Sequence, residues 1–114
     1  YSGGNNIVTV GWYSDNSEQL NHDIGGKVAN ELGIYDMSGN AREWCSDWFD
    51  YYYYSSSPVD DPQGPETGEY RVLRGGSFFV AATNCRVSGR YWGLEEDTFY
   101  KYEVGFRVAT DVTE

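Results

Sequence analysis

Hydrophobic residues along this chain occur in short groups separated by long polar segments, and no group continues with the helical period of about 3.6 residues. Short groups with partial alternation of apolar and polar positions are typical of strands, because successive side chains of a strand point to opposite faces of a sheet. On this basis we predict four short strands, within residues 7–13, 69–80, 84–93 and 100–110.

Residues 41–49 leave two structures open. Trp44, Trp48 and Phe49 fall near one face of a helix, but the segment is equally compatible with a strand in which Trp44 is buried. Three polar segments are predicted loops, namely 14–27, 30–40 and 50–68. Loops of this length need tertiary contacts or a bound metal to hold them. We therefore expect an irregular, loop-rich α+β fold.

The composition limits the function classes. The 114 residues are enough for one domain with a modest core, and eleven Tyr, five Phe and four Trp must supply much of the burial. A net charge of -10 argues against nucleic acid and against an anionic membrane surface, since both attract basic proteins. No apolar run approaches the roughly 20 residues of a membrane span. Because the sequence starts at Tyr1 and not at Met, we expect a mature or truncated piece.

Two cysteines, Cys45 and Cys85, leave the redox state open. A disulfide between them would close a loop of about 40 residues and stabilise the fold by about 4 kcal/mol. Two free, mostly buried thiols are the equally weighted alternative.

Two glycine-containing motifs have a structural interpretation. In the sequence RGGS, Gly75 and Gly76 let the backbone bend or approach a neighbour where a side chain would clash. In the sequence GFRV, we expect Gly105 in an unusual dihedral region, Phe106 in the core, and Arg107 paired with a carboxylate or extended along the surface. For both motifs we expect a structural role in maintaining the fold.

Residues 31–48 combine oxygen donors with a glycine turn. Asp36 and Glu43 flank the turn, and Gly39 would let backbone carbonyls converge. A hard cation such as calcium takes six to eight oxygen ligands of this kind. The alternative is a loop tied to its own backbone by Asn and Asp side chains.

Four motifs occur in the order and spacing of one known family: NELGIYDMSGNAREWCSDWF, YRVLRGGSF, CRVSGR and VGFRVA. On these motifs the chain resembles the formylglycine-generating enzyme family, whose members are also called sulfatase-modifying-factor domains. The likeness covers residues 30–109. It implies a single domain over residues 1–114 with a C-type-lectin-like fold, of which this chain is the C-terminal half.

The resemblance assigns a calcium ion to the oxygen-rich loop. The ligands that it implies are the Asp36 side chain, the carbonyls of Gly39 and Ala41, and the Glu43 carboxylate. A known member of the family has Asn at the first of these positions, and Asp36 should bind a cation at least as well because of its charge.

The family's oxidase uses two cysteines, five positions apart, to bind copper and convert a substrate cysteine to formylglycine. Cys85 matches the first of them as a vestigial catalytic residue, but Arg90 stands at the second position. Cu(I) favours paired thiolates, so we expect no copper site and no formylglycine reaction. The single His22 lies in a polar loop and is expected at the surface or in packing. The alternative is a sulfatase-activating oxidoreductase, or an enzyme-associated member, completed by a missing N-terminal half or a partner chain.

The remaining interpretation is a non-catalytic binding domain. Its aromatic cluster resembles the variable proteins of diversity-generating retroelements, a branch of this family that presents a diversified ligand-binding surface. Tyr and Trp suit such a surface because they give large contact area at low entropic cost. We expect a protein or a small-molecule or glycan ligand, and an extracellular or cell-surface location. The equally weighted alternative is that the same rings complete a core that is poor in aliphatic residues. The predicted ligand-binding residues are Phe79, Ser88, Tyr91, Trp92, Phe99, Tyr100 and Tyr102.

Overall fold

The computed structural model describes residues 1–94 and 102–112. Its elements are α1 (Ile7–Val10), β1 (Arg42–Trp48), β2 (Arg71–Arg74), β3 (Arg90–Gly93) and β4 (Val104–Gly105), with 3-10 turns at Tyr53–Ser55 and Ala82–Cys85. The four strands form one sheet in the order β3-β2-β1-β4. β2 pairs antiparallel with β1 and with β3, whereas β4 runs parallel to β1. The predicted loop-rich α+β architecture is confirmed.

The segment 41–49 forms a strand, β1, because both of its edges are paired. Trp44 lies opposite Leu73 of β2, and the register then shifts before Trp48. Trp44 is half-buried and not fully enclosed. Its ring covers Gly93 on β3, where an added side chain would begin 3.0 Å from the indole. The tryptophans of β1 therefore pack across the sheet.

The strand predicted within residues 7–13 is wrong. The Asn6 side chain accepts a hydrogen bond from the Val8 amide and caps a single helical turn, α1. Ile7 and Val10 are buried, since positions three apart share one face of a helix. The chain turns at Gly11, where a side chain would begin 2.2 Å from the Ser38 carbonyl oxygen.

The other two late strands are shorter than predicted. Within 84–93, only Arg90–Gly93 is a strand, because the preceding residues form a 3-10 turn and then a turn closed by the Gly89 amide. Within the described part of 100–110, only Val104–Gly105 pairs with β1. The described residues contain no helix long and apolar enough to cross a membrane.

The glycine motifs have mixed outcomes. Gly75 and Gly76 have φ of +97° and +71°, and a side chain on Gly76 would begin 2.6 Å from the Cys85 sulfur. Close backbone approach at RGGS is therefore confirmed. The expectations for GFRV are wrong at two positions, since Gly105 is extended in β4 and Phe106 is 78% exposed. A two-residue strand at the sheet edge buries neither.

Candidate functional site

Three of the four predicted calcium ligands line one cavity. Asp36, Ala41 and Glu43 border an open cavity of about 680 Å³ that extends to the end of β4. The fourth, Gly39, has a φ of +85°, and a side chain there would begin 2.4 Å from the Trp12 carbonyl oxygen. Close packing against Trp12 thus explains why this position requires glycine, without any role for a metal.

The carboxylate of Asp36 has one satisfied and one unsatisfied oxygen. Its Oδ2 accepts a hydrogen bond from the Gly25 amide at 2.8 Å. Its Oδ1 is buried and has no hydrogen-bond partner in the described part of the chain. A buried carboxylate oxygen without a partner carries a desolvation cost, which a hard cation would offset. Asp36 therefore fits the calcium ion that the resemblance assigns to this loop.

The Glu43 carboxylate forms a salt bridge with Arg107. Arg107 Nε donates to Glu43 Oε2 at 2.6 Å, and Arg107 Nη2 donates to Oε1 at 2.5 Å and to the Asp36 carbonyl oxygen at 3.2 Å. This hydrogen bonding raises the pKa of Arg107. The predicted pairing of Arg107 with a carboxylate is confirmed. A calcium ion on Glu43 would share that carboxylate with the guanidinium, and the described residues contain no cluster of three His, Cys, Asp or Glu around a metal position.

The same loop is tied to its surroundings by side chains. The Asn40 side chain donates to the His22 carbonyl oxygen and accepts from the His22 amide, both at 2.9 Å. The His22 ring stacks on Trp12 with centroids 3.7 Å apart. These bonds fix Asn40 to a segment outside residues 31–48, so both interpretations of the oxygen-rich loop stay predictions. His22 is a packing residue, as expected.

Cys85 lies in a hydrophobic cluster with Ile7 and Tyr13 and is fully buried. Burial raises the pKa of its thiol to about 11, so the nucleophilic thiolate is scarce at neutral pH. The pKa of Cys45 is raised as well, chiefly by burial and secondarily by the negative charge of Asp47. Both cysteines are free thiols, which decides between the two alternatives for the redox state.

Arg90, at the position of the second family cysteine, fastens a neighbouring loop. Its Nη1 and Nη2 donate to the carbonyl oxygens of Asp50 and Tyr51, both at 3.1 Å. Its guanidinium also lies 4.8 Å from the ring centroid of Phe49 and 4.2 Å from that of Tyr54. Arg90 therefore joins β3 to the segment that follows β1.

Two of the predicted ligand-binding residues belong to a stack that we call the aromatic ladder, formed by Phe49, Trp92 and Tyr91. Trp92 stacks on Phe49 at 4.7 Å and on Tyr91 at 5.0 Å between centroids. Arg42 covers the ladder's Tyr91 end at 4.4 Å. Trp92 is 41% exposed and Tyr91 is half-buried, so the ladder is part surface and part core.

The other predicted ligand-binding residues lie elsewhere. Phe79 and Tyr102 are 57% and 70% exposed and line a separate cavity of about 400 Å³. Ser88 is exposed on the turn before β3, and its carbonyl oxygen accepts from Arg74 at 3.3 Å. Phe99 and Tyr100 lie outside the described residues. The described members of the predicted set are thus divided among three places, the ladder, this cavity and the turn before β3.

Sequence reasoning assigned no role to the tyrosine shelf, the name we use for Tyr51, Tyr52 and Tyr54. These side chains are 70%, 75% and 62% exposed. Arg74 Nη2 donates to the Tyr54 hydroxyl at 3.0 Å and Arg90 Nη2 donates to the Tyr51 carbonyl oxygen at 3.1 Å, so β2 and β3 each hold the shelf through an arginine. The available signal for this surface was a run of four tyrosines in a loop that contains Ser and Pro. The two arginines that hold the loop come from strands distant in sequence, so their contacts could not be read from the local pattern.

A family model described as a sulfatase-modifying factor enzyme 1-like domain matches residues 3–112. The formylglycine-generating enzyme of Streptomyces coelicolor is 44% identical over 85 residues, which cover 72% of this chain and 26% of that enzyme. Serine/threonine-protein kinase Pkn1 of Chlamydia trachomatis is 44% identical over 86 residues, which cover 71% of this chain and 13% of the kinase. The chain thus spans about a quarter, or less, of these relatives.

The solved structure of Treponema denticola variable protein 1 is similar in fold, with a TM-score of 0.79 at 32% identity. The match covers 93% of this chain and 38% of the variable protein. The fold predicted from the four motifs is confirmed by this likeness, and so is the resemblance to the variable-protein branch. Since the family model extends over nearly the whole sequence, the chain belongs to the family of sulfatase-modifying factor enzyme 1-like domains.

Proposed function

We propose that this chain is a non-catalytic binding domain on a scaffold of the formylglycine-generating-enzyme type. The observation that carries the proposal is Arg90, a guanidinium at the position of the second copper-binding cysteine. It is engaged by two carbonyls and two aromatic rings. The remaining thiol of that pair, Cys85, is buried, and its pKa of about 11 keeps it protonated at neutral pH. Neither residue suits Cu(I), which favours paired thiolates.

The aromatic ladder and the tyrosine shelf support a role in binding. Large amphipathic rings held in fixed positions lose little entropy on association and carry much of the energy of many interfaces. The likeness to a variable protein of Treponema denticola supports the same role. The ligand classes that suit these rings are a protein, a small molecule or a glycan, and an extracellular or cell-surface location would suit such a domain.

Oxygen consumption during a copper titration, with a cysteine-containing sulfatase peptide as substrate, tests the non-catalytic part of the proposal. We expect no copper-dependent turnover from the chain, and a Cys85→Ala variant should behave identically. An Arg90→Cys variant should bind Cu(I) more tightly than either, because it supplies the second sulfur. Turnover by the unaltered chain that Cys85→Ala abolishes would support the oxidoreductase alternative.

The binding part is tested at the ladder. For a ligand selected on glycan and displayed-protein arrays, Trp92→Ala should lower the affinity about tenfold or more. Val108→Ala is a control at an exposed apolar side chain beyond β4, and it should leave the affinity unchanged. A ligand whose affinity ignores Trp92 and responds to Val108 would place the binding surface elsewhere.

We also propose that the oxygen-rich loop binds calcium through Asp36, Glu43 and the Gly39 and Ala41 carbonyls. The unpartnered Asp36 Oδ1 supports this proposal. Calcium at about 100 times its dissociation constant should stabilise the chain by about 2.7 kcal/mol. Asp36→Ala should abolish the shift in Tm, whereas Asp23→Ala, at an exposed carboxylate, should retain it. Native mass spectra with and without a chelator measure the occupancy, and an unchanged mass would contradict calcium binding.

Further polypeptide, either an N-terminal portion or a partner chain, is proposed to complete the domain. The chain spans 38% of the variable protein, and Phe106 and Val108 are 78% and 87% exposed. Apolar side chains this exposed at a sheet edge are typical of surfaces that another segment covers.

A further inference from the structure

The tyrosine shelf is held in one position from both sides. Arg90 fixes its first carbonyl, and both Arg74 and Arg90 contact Tyr54. The Asp50 side chain accepts from the Tyr52 amide at 2.7 Å, and the Tyr53 hydroxyl accepts from the Gly64 amide at 3.2 Å. A surface ordered before binding loses less entropy when a partner arrives.

The rings beside the shelf have few open faces. Trp92 stacks with Phe49 and with Tyr91, and a guanidinium covers a face of Tyr54. A sugar or a base that stacks flat on a ring would have to displace one of these neighbours. Tyr51 and Tyr52 meet edge to face at 5.1 Å and are 70% and 75% exposed, so these two rings remain accessible.

The loop that carries the accessible rings bears charges of one sign. Residues 50–69 contain five carboxylates and no Lys or Arg. All five carboxylate side chains are exposed: Asp50, Asp60, Asp61, Glu66 and Glu69. Arg74 and Arg90, the cations that contact this loop, are engaged by the Tyr54 hydroxyl and by the carbonyl oxygens of Asp50 and Tyr51. The exposed side chains of the loop therefore include tyrosine rings and negative charges, which are complementary to a cationic partner.

We propose that the tyrosine shelf docks a lysine- or arginine-rich segment of a partner protein, with cations over the rings of Tyr51 and Tyr52 and further contacts to the carboxylates of the 50–69 loop. A cation over an aromatic face is attracted by the ring quadrupole, and Arg adds planar stacking. The inference rests on the proposed binding function and names its partner class.

A synthetic peptide of alternating Arg and Gly is the probe, with a Glu-Gly peptide as its negative counterpart, and fluorescence anisotropy measures affinity for the 114-residue chain. The double variant Tyr51→Ala/Tyr52→Ala should bind the Arg-Gly peptide about tenfold or more weakly. Tyr35→Ala, at an exposed tyrosine that lines the separate 680 Å³ cavity, should bind as the unaltered chain does.

Charge variants separate the shelf from general attraction to an acidic protein. Asp60→Asn/Asp61→Asn should weaken binding several-fold and reduce its salt dependence, whereas Asp23→Asn/Glu31→Gln removes two exposed carboxylates elsewhere and should matter less. Equal effects of the two charge pairs, or full affinity without Tyr51 and Tyr52, would overturn the proposal. Absence of binding to the Arg-Gly peptide would overturn it too.

Different experimental results would contradict the proposed function and this inference. Copper-dependent turnover would eliminate the non-catalytic reading whatever the peptide does. A ligand that needs Trp92 but ignores Tyr51 and Tyr52 would leave the binding function intact and reject the cationic partner. The circular dichroism melting curve of the Tyr51→Ala/Tyr52→Ala variant checks folding, and we expect little change because both side chains are largely exposed.

Discussion

At several positions of this domain, the close approach of two backbone segments determines which residue type fits. Gly76 illustrates this, because its left-handed dihedral and its contact with Cys85 both exclude a side chain. Cys85 in turn is small enough to fill the remaining space and is fully buried. Cys85, at the position of the family's first cysteine, thus has a packing role here.

Gly76→Ala should destabilise the fold by about 3 kcal/mol or more, since a strained φ of +71° is combined with contacts of 2.6 Å to the Cys85 sulfur and 2.8 Å to the Asn84 carbonyl oxygen. Gly33→Ala is the matched control, with a similar φ of +76° but no atom within 4 Å of the added carbon. It should cost only about 1 kcal/mol. Equal losses in urea unfolding would contradict the role of close packing at Gly76.

The buried thiol predicts an alkaline loss of stability. Burial raises the pKa of Cys85 to about 11, above the ordinary thiol value, so the unfolded chain loses this proton first as pH rises. The contribution is complete below about pH 9 and falls as pH rises through about 11. The difference in unfolding free energy between the chain and Cys85→Ala should shrink over this range. A pH-independent difference would mean that the thiol does not titrate as inferred.

At the scale of elements, the sequence predicts a strand or a turn correctly where the local residue pattern determines it. The prediction fails where contacts with residues distant in sequence determine the structure. β2 follows from apolar residues between turn signals. The turn at residues 7–10 depends on the Asn6 cap, which the strand pattern ignored. β1 stayed ambiguous, because only its pairing with β2 separates a strand from a helix of the same tryptophan spacing. The tyrosine shelf needed Arg74 and Arg90, which are not near it in sequence.

The link between β1 and β4 is an ion pair with low exposure. Glu103 Oε2 accepts from Arg42 Nη1 and from the Ser77 hydroxyl, both at 3.0 Å, and the Arg42 side chain is 10% exposed. Glu103→Ala would leave the cation without this partner and should cost about 3 kcal/mol. Glu69→Ala, at an exposed carboxylate, should change stability by less than about 0.5 kcal/mol. Similar melting temperatures for the two variants would argue against this link.

Over the whole molecule, the core is small relative to the apolar surface. Among the described residues, seven hydrophobic side chains are buried and twenty large ones are exposed. A core of this size gives little stability to spare. Phe106 was predicted in the core and is exposed at the edge of the sheet, where the further polypeptide proposed above would bury it.

Phe106→Ser/Val108→Ser should therefore leave the stability of the isolated chain within about 0.5 kcal/mol, because both side chains already face water. The variant should bind less of a dye that reports exposed apolar surface, and it should self-associate less in sedimentation velocity. Val59→Ser is the control, since Val59 is 97% exposed in a different loop and should affect neither measurement as strongly. In a longer form that supplies the covering polypeptide, the same double substitution should cost about 3 kcal/mol or more, as for a buried aromatic side chain. Equal tolerance of the substitution in both forms would mean that this face stays exposed and that further polypeptide packs elsewhere.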